Sequence, residues 1–136
     1  MVHEKSLLVV DDERSFVDLV SRVLRREGYG VLHGKDGIDA FSSLFLHSPS
    51  LMLIDLCLPC ITGLEVIEQV RGDQKTADVP IVAMSGDPSL LERAIAMGAD
   101  AILAKPFSHE ALKSVVARHL GEARTQDPPI GCESPS

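Results

Sequence analysis

Four short apolar runs in this chain each stop at a residue able to do chemistry. Leu7-Leu8-Val9-Val10 is followed by Asp11 and Asp12, and Leu51-Met52-Leu53-Ile54 by Asp55. Ile81-Val82-Ala83-Met84 is followed by Ser85, and Ala101-Ile102-Leu103-Ala104 by Lys105. If the runs are parallel strands of one sheet, their C-terminal ends share an edge. Three carboxylates, a hydroxyl and an ammonium then meet there. Clustered carboxylates repel and raise one another's pKa. A hard divalent cation relieves that repulsion, and an all-oxygen donor set favours Mg²⁺ or Mn²⁺ over zinc. Lys105 adds a fixed positive charge and Ser85 a hydroxyl donor, each suited to a phosphoryl oxygen. A carboxylate between a metal and a lysine can act as a nucleophile that forms an acyl phosphate, while the cations neutralise the developing charge.

The elements that must position these groups alternate five times between strand and helix patterns. After the first run, Phe16, Leu19, Val20, Val23 and Leu24 recur at helical spacing, and Gly28 stops that helix. Gly30-Val31-Leu32-His33 is a weak second strand. Asp36 can cap a second helix with Ile38, Phe41, Leu44 and Phe45 on one face, closed by Pro49. Thr62-Gly63-Leu64-Glu65 is the pattern of a capping box. Asp87-Pro88 pairs an N-cap with proline at the first helical position, and Gly98 ends the helix that follows. Ser108 caps a last helix carrying Leu112, Val115, Val116 and Leu120.

Strict β–α alternation predicts an α/β fold, a doubly wound parallel sheet with helices on both faces. The continuous apolar character of the first, third and fourth strands fits burial on both faces. Right-handed crossovers place every strand C-terminus on one edge, where such sheets bind ligands.

Any one of these residues has a plain explanation. Asp11, Asp12 and Asp55 can be strand-end turns or caps, Ser85 a loop hydroxyl and Lys105 a surface residue. Their convergence is what distinguishes them, and it comes with matching local text. The chain resembles the receiver domain of two-component response regulators, from about Ser6 to Leu120. The matching text is Val9-Val10-Asp11-Asp12-Glu13, Leu53-Ile54-Asp55-Leu56 with Pro59 and Gly63, Met84-Ser85-Gly86, Gly98-Ala99-Asp100 and Lys105-Pro106-Phe107. The resemblance implies the flavodoxin-like (βα)5 fold with strand order 2-1-3-4-5. It also implies that Asp55 is the phosphoacceptor and that Asp12 ligates Mg²⁺ directly. Asp11 would help mainly through water, and the carbonyl of Cys57 would be a further ligand. Lys105 would contact the phosphoryl group, Ser85 would follow it, and the Lys105–Pro106 bond would be cis. The implied partners are a histidine kinase or histidine phosphotransfer protein and a downstream protein. The implied role is a switch rather than a turnover enzyme.

Two departures from the family pattern stand out. Ile102 occupies the position, three before the lysine, where the family usually has an aromatic residue. Cys60 and Thr62 stand where Gly and Asp are common. Two other functions compete. One is a receiver that docks partners without phosphorylation. The other is a phosphohydrolase of the haloacid dehalogenase type, but that group carries its two acids two residues apart on the first strand.

Composition sets outer bounds. At 136 residues, 45% hydrophobic and 24% charged, the chain fits one globular domain with an aliphatic core, for it has no Trp and one Tyr. A net charge of −7 argues against direct nucleic-acid binding. No apolar run approaches the roughly 20 residues that span a bilayer. With no apolar signal core at the N-terminus, a cytoplasmic location is expected. Three cysteines are consistent with reduced thiols. Cys57-Leu58-Pro59-Cys60 could be a redox or zinc motif, but lacks the helix start and second ligand pair those require, so its thiols are read as structural or incidental, with redox modulation as the alternative. His3, His33, His47, His109 and His119 show no ligand spacing. Residues 1–121 are expected to form the receiver domain. Residues 122–136, rich in proline and without periodicity, are expected to be a disordered tail or linker stub. With no output domain in the text, the chain resembles a stand-alone receiver.

Overall fold

Among the described residues, caps written in the sequence start four of the five helices. The computed structural model of the chain describes residues 5–121, so the expected tail at 122–136 lies outside the described residues. Asp36 accepts the amide of Asp39 and opens α2 (Gly37–His47). Thr62 and Glu65 complete a reciprocal capping box at α3 (Gly63–Gly72). Asp87 accepts the amide of Ser89 at the start of α4 (Pro88–Met97), and Ser108 that of Ala111 at α5 (His109–His119). Only α1 (Arg14–Arg26) starts without a side-chain cap. The amide before it, that of Glu13, donates to Asp11 instead, which ties the start of α1 to the acidic edge.

The strands are β1 (Ser6–Val10), β2 (Gly30–Gly34), β3 (Leu51–Asp55), β4 (Ile81–Ser85) and β5 (Ala101–Ala104). They form one parallel sheet in the order β2-β1-β3-β4-β5. Alternate side chains of each inner strand feed two cores. Leu7, Val9, Leu51, Leu53, Val82 and Met84 pack with α1 and α5 residues such as Val20, Leu24, Leu112 and Val116. Leu8, Val10, Met52, Ile54, Ile81 and Ala83 pack with α2, α3 and α4 residues such as Ala40, Leu44, Ile67 and Ala94. Coverage of both faces explains why the inner strands are apolar throughout.

Helix α2 departs from the sequence reading. Ile38 is 64% and Phe45 49% exposed, whereas Gly37, Ala40 and Leu44 face the core. A Cβ at Gly37 would lie 3.0 Å from Val66 Cγ2 of α3 and 3.4 Å from Ile61 Cβ, so α2 runs close to its neighbours there while Ile38 and Phe45 turn outward. Leu19 of α1 is likewise partly exposed.

Arg71 locks the opposite edge of the sheet. Its guanidinium donates to the carbonyls of Gly98, Ala77 and Val79 and to Asp100, whose carboxylate also accepts the amide of Ile81. The Gly98-Ala99-Asp100 motif is thereby explained. Gly98 has φ +120°, and a Cβ there would lie 2.9 Å from Arg71 Cγ. Among the described residues no helix is long and apolar enough to cross a membrane.

Candidate functional site

Strand register sets the site. Val10 pairs with Ile54, so Asp11 and Asp55 leave adjacent strand ends side by side. Asp55 pairs with Met84 and Ser85 with Ala104, which places Ser85 and Lys105 one step further along the same edge. Lys105 reaches back across the sheet. Its ammonium donates to Asp11 Oδ2 at 3.0 Å and to Asp55 Oδ1 at 3.1 Å. Carboxylate oxygens of Asp11, Asp12 and Asp55 all lie within 4.8 Å of one another.

The three acids differ in environment. Asp11 is 1% exposed, with one oxygen on Lys105 and the other accepting the amide of Glu13. Asp12 is exposed. Burial is the main reason that the Asp55 carboxyl is raised above its ordinary value of 3.8; Lys105 opposes the rise, and the charge of Asp11 adds to it. Burial alone would depress the Lys105 ammonium. Its hydrogen bonds and charge contacts with Asp11 and Asp55 overcome that and hold it above 10.5. The lysine thus takes up part of the repulsion that sequence reasoning assigned wholly to a metal.

Behind Asp55 the chain makes a tight loop into α3. The amide of Cys57 donates to the Asp55 carboxylate, and the amide of Gly63 to the carbonyl of Leu56. A Cβ at Gly63 would sit 2.5 Å from the Asp55 carbonyl oxygen and 2.7 Å from Leu56 Cα, so only glycine lets α3 start this close to β3. Cys60 has φ +68°, and the amide of Ile61 donates to the carbonyl of Pro59 across it at 2.8 Å. This is a γ-turn of the rare positive-φ kind. Cys57 and Cys60 are both free, exposed thiols. Ser85 is buried, and its hydroxyl accepts the amide of Asp87. The Lys105–Pro106 bond is cis.

Three contacts at this edge escaped sequence reasoning. Phe16 presents its ring to the Lys105 ammonium, 4.1 Å from the centroid, and Phe107 meets Phe16 edge-on. The helical phase of Phe16 marked it for the core, and no local signal tied it to a lysine so far along the chain. His33, which showed no ligand spacing, has Nε2 3.2 Å from the Asp11 carbonyl.

Residues 7–117 match the family model described as the response regulator receiver domain. The chain belongs to that family. Receiver domains are signalling switches. Among curated proteins, the response regulator MprA of Mycobacterium sp. (strain KMS) is 35% identical in an alignment of 134 residues that covers 96% of this chain and 55% of the relative. The chain therefore spans about half the length of that relative. Among solved structures, a putative response regulator from Chloroflexus aurantiacus J-10-fl superposes with TM-score 0.84 at 30% identity, covering 88% of this chain and all of that one. The receiver domain of sensor histidine kinase PA1611 from Pseudomonas aeruginosa PAO1 gives 0.81 at 27% identity, with the same coverage. It was solved with a magnesium ion coordinated in its active site cleft. Chemotaxis response regulator CheY4 of Vibrio cholerae gives 0.80 at 28% identity, over 86% of this chain and 99% of that one.

Proposed function

We propose that this receiver domain is a phosphorylation switch in which Asp55 accepts a phosphoryl group from phosphohistidine on a histidine kinase or histidine phosphotransfer protein. The observation that carries the reading is the Lys105 ammonium bridging Asp11 and Asp55, with Asp12 beside them. An Asp55 oxygen attacks phosphorus, the P–N bond to the imidazole breaks, and an acyl phosphate results. Lys105 turns to a phosphoryl oxygen, and the Ser85 hydroxyl, whose proton is free to be donated, follows another. Water later attacks phosphorus and returns the carboxylate and inorganic phosphate. The domain is consumed and reset once per signal and is no turnover enzyme.

The oxygen donors fit Mg²⁺. Asp12, Asp55 and the carbonyl of Cys57 would hold it directly. Asp11, whose oxygens already serve Lys105 and Glu13, would act mainly through water. When bound, the ion supplies positive charge against the phosphoryl oxygens. The readout passes to a downstream protein in the cytoplasm, with neither nucleic acid nor membrane bound by this domain.

Incubation with phosphoramidate and Mg²⁺ should add one phosphate that is labile to acid and base. Asp55→Asn or a chelator should abolish it. Phosphate on Ser85 instead would refute the assignment. A docking module that works without phosphorylation is the second reading. It is favoured by Ile102, 40% exposed on β5, where it offers no ring to swing inward. A partner captured equally by the parent and by Asp55→Asn would support it.

A further inference from the structure

Three groups surround the Lys105 ammonium: Asp11 at 3.0 Å, Asp55 at 3.1 Å and the face of the Phe16 ring, 4.1 Å from its centroid. Phe16 is the third residue of α1, so the turn that carries Asp11 and Asp12 also sets the ring. Phe107 lies two residues beyond Lys105 and packs against that ring edge-on, with centroids 5.8 Å apart and planes at 78°. We propose that Phe16 is a positioning residue for phosphoryl transfer: its ring face keeps the Lys105 ammonium over the pocket while Asp55 changes from carboxylate to acyl phosphate. The inference rests on the phosphorylation-switch reading above.

The two carboxylates cannot do this alone. Hydrogen bonds to carboxylate oxygens are directional, and phosphorylation removes one of them. Once Asp55 carries the phosphoryl group, its negative charge moves outward to the phosphoryl oxygens. Lys105 must move with that charge and keep its contact with Asp11. An aromatic face attracts a cation anywhere within about 6 Å of the centroid. It therefore holds the ammonium through the move without fixing one position. Leucine would fill similar space with no quadrupole. The Lys105 side chain, a quarter exposed and built on four rotatable bonds, would then sample solvent more often.

Phe16 also packs at the margin of the core beneath α1 and α5, so a purely structural role must be separated from positioning. The experiment uses the full chain with phosphoramidate and Mg²⁺, and compares Phe16→Leu with Phe16→Tyr. Leucine should slow phosphorylation about three- to tenfold. Its Mg²⁺ affinity should not change. Tyrosine, which keeps the ring, should stay within about twofold of the parent. In a Lys105→Met background Phe16→Leu should have no further effect, as coupling requires. The Lys105 ε-methylene protons should resonate upfield in the parent through the ring current, and lose that shift in Phe16→Leu. An unchanged rate in Phe16→Leu, an equal slowing in the Lys105→Met background, or an ε-methylene shift indifferent to the ring would each overturn the proposal. If the parent itself takes up no phosphoryl group, the switch reading fails, and the ring-current comparison still decides whether Phe16 holds Lys105.

Discussion

Replacing Lys105 with methionine should destabilise the fold through two carboxylates rather than through lost packing. The variant keeps the aliphatic stem and removes the ammonium that lies 3.0 Å from Asp11 and 3.1 Å from Asp55. At an effective dielectric of about 20, each contact at ~3 Å is worth about 5 kcal/mol of Coulomb attraction. The desolvation of all three groups offsets much of that. Removing one partner from a buried ion pair costs about 3–5 kcal/mol. The Asp11 and Asp55 side chains are 2% and 10% exposed, but that of Lys105 is 24% exposed, which moves the expectation down. A loss of about 2–4 kcal/mol at pH 7 is expected. The pH dependence gives the sharper test. In the parent, Lys105 partly offsets the rise in the Asp55 pKa, while burial and Asp11 drive it. The variant loses the opposing influence, so the Asp55 pKa climbs further. An acid whose folded-state pKa is raised weakens the fold fully above that pKa, and the penalty fades as pH falls from it toward the ordinary value. The deficit should therefore shrink as pH is lowered from 7 toward 3.8, the ordinary carboxyl value, and adding Asp55→Asn should relieve it at pH 7. Urea denaturation of parent, single and double variants across that range measures this. A cost below about 1 kcal/mol at pH 7, or one that stays constant down to the ordinary carboxyl value, would refute the reasoning.

Gly63→Ala should destabilise by about 1–3 kcal/mol or more, because its methyl would overlap the Asp55 carbonyl, and should also slow phosphorylation by displacing β3 from α3; denaturation and phosphorylation rate together check it. Cys60→Gly should stabilise the chain by about 1 kcal/mol, since glycine adopts φ +68° without strain; an unchanged or lower urea midpoint counts against the strain. On phosphorylation, NMR shifts should change strongly after Asp55 and Ser85 but weakly around Ile102, whose β-branched side chain is stiff at χ1. Ile102→Tyr should enlarge the response there, and a large rearrangement along α4 in the parent would show that the switch uses another lever.

Helix starts were legible because capping is local. Asp36, Thr62 with Glu65, Asp87 and Ser108 act on amides two or three residues away. The meeting of Asp11, Asp55, Ser85 and Lys105 at one edge was legible for a different reason. Each group closes an apolar run, and parallel strands joined by right-handed crossovers leave their C-termini no other place. On α2 the expected face held for Phe41 and Leu44 but not for Ile38 and Phe45, because helical phase alone does not say how far a core-facing stripe extends round the helix.

By itself the sequence determined the strand and helix order, the caps and the edge on which the charged groups emerge, since each follows from short-range chemistry or from chirality. Tertiary structure alone decided which acid is buried and which exposed, that Lys105 bridges Asp11 and Asp55, that Phe16 lies against the ammonium, and that Cys60 turns through positive φ. The physical reason is distance along the chain. Lys105 meets residues 94 and 50 positions before it, and those contacts exist only once strand order and register have fixed the spacing of the sheet.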